Sequence, residues 1–273
     1  MTEPGKHHID LQKLEQVGQV GVRRAALFMG LGLNAAHRDD FNEYRLRSLP
    51  RTPGQLTVPI EFFPEDLPAE KVKDFKDEYA TWTIACGLRE VIEHYAQLLD
   101  QIFAHGLIVL QFKKGKLPFT TSPQTRVSAF GRLGVPDKFK ELSTILGINI
   151  EGSASASELY IARNALTHDL GHVTAKRAPS GKLEISWVGF DVIGIGKETG
   201  KEYSLSDLEG KRTPEEIGIQ ARTVRRQKEF KVGTSIRLTS QDLSEICSYF
   251  SMVLIKSAIQ EFGVFLKANG VGA

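Results

Sequence analysis

An arginine, an asparagine and a histidine lie close together in a segment that otherwise has the pattern of an apolar helix. Arg163 and Asn164 are adjacent, and His168 follows four residues after Asn164. A guanidinium stays charged and offers a planar fork of donors that matches phosphate oxygens, whereas an imidazole exchanges protons near neutral pH. Residues four apart share one helix face, so Asn164 and His168 can touch. These residue types suit proton transfer and charge stabilisation at a phosphoryl group.

The residues around this group predict the helix that holds it. Apolar side chains recur there at three- and four-residue steps, as on one buried helix face. Gly171 suits the left-handed conformation that closes a helix, and the serine-rich run at 153–157 can supply the N-terminal cap. The apolar stripe consists of Leu159, Ala162, Leu166 and Leu170.

Arg163-Asn164 followed by His168, with Gly171 and Val173 beyond, resembles the R-x4–6-H motif of the HEPN superfamily. In that family the arginine is typically followed by a polar residue, often asparagine, and the motif lies late in an α-helical bundle. Many members are metal-independent RNA endonucleases, often toxins or antiviral effectors, and others have lost activity and serve as binding modules. The resemblance covers roughly residues 69 to 267 and leaves the first 68 residues uncovered.

The resemblance implies a catalytic set of Arg163, Asn164 and His168 that uses no metal or other cofactor. The 2′-hydroxyl of RNA would be the nucleophile, His168 would move protons, and Arg163 would stabilise the charged phosphorane. Asn164 would hold the imidazole or contact the RNA. The products would be a 2′,3′-cyclic phosphate and a 5′-hydroxyl.

The spacing of Arg163 and His168 also bears on the number of chains in the site. On an ideal helix the two residues diverge by about 140° around the axis and about 7.5 Å along it. One helix therefore aims them apart, and two motif helices facing each other would bring both residue types into one cleft. The family builds its sites at such dimer interfaces. The expected partners are RNA, a second copy of the chain and a protein inhibitor or antitoxin.

The same residues permit a structural interpretation. A semi-buried Arg163 can pair with an acid such as Glu158 or Asp169, and His168 can satisfy a buried backbone carbonyl. His168 and His172 have the spacing of a metal pair, but the helix is expected to end between them and no His-Glu-x-x-His run is present, so no metal site is predicted. Three functions stay open: an RNA endonuclease of the toxin or defence type, an inactive HEPN-like module that binds a ligand or partner, and a regulator acting through its N-terminal region.

Composition indicates a globular protein without a strong overall charge. Of the 273 residues, 41% are hydrophobic and 25% charged, and the net charge is +2, so any attraction to RNA must come from a local basic surface. The residues Arg222, Arg225 and Arg226 supply one on a predicted charged helix over 214–230, and they are candidate RNA contacts. A solvated helix face is the simpler interpretation of the same run.

Cysteine usage and hydropathy address the compartment. The two cysteines, Cys86 and Cys247, fall on apolar helix faces and are expected to be buried thiols rather than a disulfide. The first residues lack the apolar core of a signal peptide, and no run reaches the ~18 apolar residues of a membrane span. A cytoplasmic protein without membrane association is expected.

The elements around the motif predict a mainly α fold, a HEPN-like helical bundle with a small antiparallel β insertion, α+β overall. An N-terminal extension over 1–68, helical and then Pro-rich, would precede the helical domain over 69–273, with the insertion at about 180–238. Alternation predicts strands over 183–188 and 190–195 and a hairpin turn at 198–200. Further predicted elements are helices over 69–105, 137–146 and from Thr239, the last with a capping box to Asp242, and a short strand over 236–238.

Overall fold

Helices carry most of the chain, and a single small antiparallel sheet is inserted among them. The structure is a computed structural model, and it describes residues 9–38, 69–114, 122–204 and 215–271. The elements are α1 (Leu11–His37), α2 (Ala69–Lys114), α3 (Pro123–Gly131), α4 (Val135–Leu146), α5 (Ser153–His168), β1 (Lys182–Gly196), β2 (Glu202–Ser204), β3 (Ile217–Lys231), α6 (Ser240–Tyr249), a π-helical turn (Phe250–Leu254) and α7 (Ile255–Ala268).

Helix α2 lies at the centre of the bundle. It is longer than the predicted helix over 69–105, because the apolar run after residue 105 continues the same helix to Lys114. Its middle is packed on several sides, with Leu88, Leu98 and Ile102 fully buried. Helices α1, α5 and α7 all pack against it.

Helix α1 shows why glycines can lie inside a long helix. Each glycine weakens an isolated helix by about 1 kcal/mol relative to alanine, yet α1 runs unbroken for 27 residues. A side chain on Gly21 would lie 2.5 Å from the Cβ atom of His94 on α2, and one on Gly18 would lie 2.9 Å from Ile255 on α7. The glycines therefore permit close helix packing, and Leu14 joins the hydrophobic core. The Pro-rich passage predicted as the boundary at residue 68 lies outside the described residues.

The sheet confirms the predicted hairpin and corrects the segment that follows it. β1 pairs with β2 across the predicted turn, with Gly194 opposite Tyr203. The charged helix predicted over 214–230 is wrong, because that run is strand β3, which pairs with β1 along its whole length. Charged residues fit a solvated helix and a solvated strand equally well, and pairing with the apolar β1 decides between them. The strand predicted over 236–238 is also wrong, since that segment is irregular.

The last helical stretch begins as predicted and then departs from α-helical geometry. Thr239 and Asp242 form the predicted capping box at the start of α6. A π-helical turn follows at Phe250–Leu254. There the backbone carbonyl of Ser251 accepts a hydrogen bond from the Gln19 side chain of α1 (3.3 Å), and the Ser251 hydroxyl donates to Gln19 in return (2.9 Å). α1 thus satisfies a carbonyl at the widened turn.

The helical stretch Ser240–Ala268 has the length and composition of a membrane-crossing helix. This is weak evidence by itself, since core helices of soluble proteins pass the same test. Ile246, Leu254 and Phe262 are fully buried against the rest of the protein, as in a core helix. The fold is compatible with a soluble protein.

Candidate active site

Helix α5 holds the predicted catalytic residues between α2 and the sheet. Leu159 and Ala162 are fully buried, as the stripe predicts. On the sheet side, the Ser186 hydroxyl of β1 donates to the Glu158 carboxylate (2.8 Å). The predicted serine cap is wrong: α5 begins after Gly152, which adopts the left-handed φ of 79° that serine rarely adopts and makes no side-chain cap.

Arg163 is fixed from two sides. Its Nη2 donates to Glu93 Oε1 on α2, and its Nη1 donates to Asn164 Oδ1 at 3.0 Å. The Arg163 side chain is only 16% exposed, whereas Glu93 is 44% exposed. The structural alternative, a semi-buried Arg163 paired with an acid, is therefore realised, but with Glu93 as the acid. Glu158 instead accepts from Ser186, and Asp169 pairs with Arg177 (2.9 Å).

The Arg163 guanidinium keeps spare hydrogen-bonding capacity. An arginine has five N–H donors, and within the described part of the chain Arg163 uses two of them. Its Nε is buried and has no partner there. A buried donor without a partner costs about 1–3 kcal/mol, so such atoms in a native fold call for an explanation.

His168 is the last residue of α5, and its side chain is exposed. In the described ranges its ring makes no hydrogen bond, so it does not serve as the buried carbonyl partner of the structural alternative. The structure brings Arg163 and Asn164 together but bonds neither of them to His168. Asn164 is 8% exposed and its oxygen is occupied by Arg163.

Beyond His168 the chain turns sharply. Gly171 has a φ of 80°, which confirms its predicted left-handed conformation, and its N–H donates to the Ala165 carbonyl at 3.0 Å. Leu170 also has a positive φ, 52°, and its side chain is 91% exposed. The positive φ is unusual for leucine and carries a backbone cost of about 1–3 kcal/mol. His172 lies past the turn, where its Nδ1 approaches the Ser235 hydroxyl at 3.3 Å, so it does not share a face with His168.

Comparison with known proteins adds no name to this site. No family model, no curated protein and no solved structure matches the chain.

A groove of about 580 Å³ runs beside the end of α5. Leu166 and Leu170 line it together with Asp77, Glu78 and Trp82 of α2. Apolar and acidic side chains therefore share this groove. The surface of α5 that carries the motif borders it.

The apolar stripe on α2 is only partly a core face. Near its start Tyr79 is 39% and Trp82 63% exposed. Their rings stack on each other with centroids 6.1 Å apart. Further apolar side chains on the neighbouring α1 surface are also exposed, namely Leu27, Phe28 and Leu31.

The sheet arginines proposed as RNA contacts lie on strand β3. Arg226 donates from Nε and Nη2 to the Glu245 carboxylate (both 3.1 Å) and from Nη2 to Asp191 (2.7 Å), and these bonds raise the pKa of Arg226. Burial pushes the pKa of Glu245 up, but the hydrogen bonds from Arg226 and Trp187 outweigh it, so that pKa lies below its usual value. Arg226 is matched by two carboxylates.

The other two sheet arginines are bound less tightly. Arg222 donates to Glu202 at 3.2 Å and lies 3.7 Å from Asp191. Arg225 contacts the Ser186 hydroxyl at 3.4 Å and has no ion pair within the described ranges. Of the three, Arg225 remains the most available for an outside anion.

The described residues contain free thiols but no cluster of metal ligands. Among them there is no group of three or more His, Cys, Asp and Glu side chains that could hold a metal ion. Both cysteines are free, Cys247 buried and Cys86 partly so. Burial raises the pKa of the Cys247 thiol to about 12, so it stays protonated.

Sequence reasoning missed three residues of the site. Glu93 lies 70 positions before Arg163, and no local pattern announces the pair. Trp82 lies within the helix predicted over 69–105, and nothing in the sequence around it indicates that its ring is exposed. Leu170 fits the periodicity of α5 but lies after its last residue, His168. The glycine that follows Leu170 was the only sequence feature indicating that the helix ends before it.

Proposed function

We propose that the protein is a metal-independent RNA endonuclease of the HEPN type that acts as a homodimer. The observation that supports this most is the Arg163 guanidinium, which Glu93 and Asn164 orient while one N–H on each Nη stays unused within the described residues. Its Nε is also without a partner there but is buried. An oriented cation with free N–H groups is suited to a phosphorane, because it need not reorganise as charge develops.

The proposed reaction uses the nucleophile that RNA carries. The 2′-oxygen attacks the adjacent phosphorus and forms the 2′-O–P bond, while its proton passes to one imidazole. The P–O5′ bond breaks, and the leaving 5′-oxygen takes a proton from a second imidazole that is protonated at the start of the step. Arg163 stabilises the dianionic phosphorane. The products are a 2′,3′-cyclic phosphate and a 5′-hydroxyl, and no metal ion is required.

Two copies of the chain supply the two imidazoles. Arg163 is directed toward α2, whereas His168 is exposed at the end of α5, so one chain does not present both to one phosphate. The apolar surface beside α5, with Leu170 at its edge, is the surface that a second copy would cover. Pairing across it would bring each His168 toward the partner's motif helix.

The test is cleavage of labelled RNA in the presence of EDTA. The parent protein is expected to produce fragments with 2′,3′-cyclic phosphate ends, and His168→Ala is expected to lower the rate 10²–10⁴-fold, the usual contribution of a general acid–base group. His172→Ala is the matched control and should cleave like the parent. Loss of cleavage in EDTA, or equal damage from His172→Ala, would overturn the proposal.

A role as a toxin or antiviral effector, working on RNA in the cytoplasm and restrained by a protein inhibitor, follows from the same resemblance. Growth arrest on induced expression, abolished by His168→Ala, is the expected outcome. Normal growth with an active parent protein would remove this part of the proposal and leave the enzyme activity standing.

The second candidate is an inactive HEPN-like module that binds a ligand or partner. The apolar groove lined by Trp82, Leu166 and Leu170 favours it, and so does the carboxylate of Glu93 that already occupies Arg163. Binding of RNA without cleavage, or no detectable binding of RNA, would favour this module. The regulator acting through its N-terminal region has no observation of its own to support it.

A further inference from the structure

A second, smaller pocket lies between α1 and α2, on the other side of Trp82 from the groove beside α5. It has a volume of about 320 Å³, at the lower end of the range for small-ligand pockets, about 300–1,000 Å³. Aromatic rings line it on both helices, and Trp82 belongs to both cavities. The main lining side chains are Phe28, Tyr79, Trp82, Thr83, Arg89 and Glu90.

The aromatic walls are unusually open to solvent. Phe28 is 48% exposed on α1, and Trp82 is 63% exposed on α2. Arg24 lies over the Phe28 ring, 5.0 Å from its centroid, and Tyr79 stacks on Trp82, so each ring has its other face left for a planar ligand. Stacking on such rings is how proteins bind unpaired nucleobases.

The floor of the pocket holds an unsatisfied polar group. Thr83 is 7% exposed, and its hydroxyl has no hydrogen-bond partner in the part of the chain that the structure describes. A buried hydroxyl without a partner costs free energy. A ligand edge that carries donors and acceptors, such as that of a nucleobase, can supply the missing bond.

The charges at the mouth favour an anionic group on that ligand. Arg24 is neutralised by Glu90 through its Nε, whereas Arg89 is 46% exposed and its Nε lies 4.0 Å from Glu93 Oε1. That same Glu93 oxygen already accepts a hydrogen bond from Arg163. Arg89 is therefore the less fully paired cation at the pocket, and Glu93 links it to the catalytic arginine.

We infer that this pocket receives a nucleobase of the bound RNA, with Arg89 on its phosphate. The inference rests on the proposed function for the identity of the polymer. The base lies against Trp82 and Phe28 and bonds to the Thr83 hydroxyl. Because Arg89 and Arg163 share Glu93, the base in this pocket belongs to a nucleotide close to the cleaved bond, and the pocket sets the position of the RNA strand.

The experiment uses the full chain with His168→Ala, which prevents turnover, and titrates it with AMP, GMP, CMP and UMP. The protein has two tryptophans, and Trp187 is 2% exposed, so quenching of fluorescence reports on Trp82. Saturable quenching by at least one nucleotide is expected, with no effect of inorganic phosphate at the same ionic strength. Quenching by phosphate alone, or none by any nucleotide, would overturn the inference.

Calorimetry on variants locates the bound base. Phe28→Ala and Trp82→Ala should each weaken nucleotide binding about tenfold or more, as removal of a stacking ring does. Phe112→Ala is the matched control, since Phe112 is an exposed phenylalanine at the other end of α2, and it should bind like the parent. All three rings are solvent-exposed, so unfolding temperatures close to the parent are expected. Undiminished binding in the first two variants would place the nucleotide elsewhere and refute the inference.

Two further variants separate the base from the phosphate. Arg89→Gln should remove the advantage of AMP over adenosine, whereas Thr83→Val, which keeps the side-chain shape, should weaken both by several-fold. An AMP advantage that persists in Arg89→Gln would contradict the assigned phosphate contact.

The pocket and the endonuclease activity can fail independently. Nucleotide binding at Trp82 with a parent protein that cleaves no RNA would keep the pocket and reject the enzyme. If the parent cleaves RNA and the variants Phe28→Ala and Trp82→Ala bind nucleotides as tightly as the parent, the enzyme activity stands and the pocket is rejected.

Discussion

Arg163 on α5 and Arg226 on β3 are both partly buried arginines, but their surroundings differ. Arg226 makes its hydrogen bonds to two carboxylates, Glu245 and Asp191, and joins the sheet to α6. Arg163 has one carboxylate, one amide and, in the described residues, an unpartnered Nε. A fully matched arginine stabilises a fold, whereas an arginine that is oriented but only partly matched remains available to an outside anion. The sequence makes both arginines candidates for phosphate contacts, and only their partners in the structure distinguish them.

The largest expected difference between these arginines is in catalysis. Arg163→Ala should lower the rate of RNA cleavage about 10²-fold or more, because it removes charge stabilisation from the transition state. Arg226→Ala should cleave at nearly the parent rate once the fraction of folded protein is taken into account. Single-turnover kinetics with saturating RNA measures both. Comparable losses in the two variants would mean that Arg163, like Arg226, has a structural role.

Stability should show the opposite order. Arg226→Ala leaves Glu245, 13% exposed, without its cation and should lower the free energy of unfolding by about 1–2 kcal/mol. Arg163→Ala leaves Glu93, which is 44% exposed and can be hydrated, so a loss of about 1 kcal/mol or less is expected. Urea unfolding of the two variants side by side tests this. A larger loss for Arg163→Ala would make it the structural residue of the pair.

A substitution at Leu170 tests whether the surface beside Arg163 is the dimer interface. The surface around Arg226 is not expected to be one. Leu170→Asn removes the apolar side chain and places a residue that tolerates the positive φ of 52°. If a second copy covers this surface, the dissociation constant of the dimer should rise about 10²-fold, because the variant removes one buried leucine from each of the two chains. Sedimentation equilibrium measures it, with Val264→Ala on α7, where Val264 is also exposed, as the control. An unchanged dimer, or a monomeric parent, would contradict the proposed interface.

The smallest effect concerns Glu215, which fixes the start of β3 to the β1–β2 turn. The Thr199 hydroxyl and the backbone N–H groups of Thr199 and Glu198 donate to its carboxylate, and these bonds lower its pKa from 4.5 to about 2. Because the folded pKa is depressed, the stabilisation is complete above about pH 4.5 and is lost as the pH falls toward 2. The unfolding temperature of Glu215→Gln should therefore lie slightly below the parent at pH 6 and converge with it near pH 2. A gap that persists at pH 2 would assign the effect to packing instead.

Local patterns were enough to predict the elements whose signals lie within a few residues. The stripe around Ala162 gave α5, Thr239 and Asp242 gave the start of α6, and alternation after residue 182 gave β1 and its hairpin. In each case the residues that determine the element are the residues that form it, so no distant contact was needed.

The errors arose where a distant partner decided the outcome. β3 is a strand because β1 is available to pair with it, and its arginines look the same on a helix. Glu93 meets Arg163 only through the packing of α2 on α5, and Trp82 is 63% exposed although α1 packs along α2. The tertiary arrangement determines these features, and a single sequence contains no spacing that reports them. The place of the motif residues on a helix was predictable, but the carboxylate partner Glu93 and the neighbouring pocket were not.

The π-helical turn at Phe250–Leu254 has a consequence for the phase of the final helix. A π turn holds one residue more than an α turn, so it rotates everything after it by about 100° relative to a continuous α-helix. The buried side of α7, which includes Ala258, Phe262 and Leu266, is therefore matched to the core only with the extra residue in place. Deleting one residue within the turn would regularise the backbone and direct that apolar side away from α1 and α2. Insertions or deletions in this stretch should be far less tolerated than substitutions, because a change of length turns the helix while a change of side chain does not.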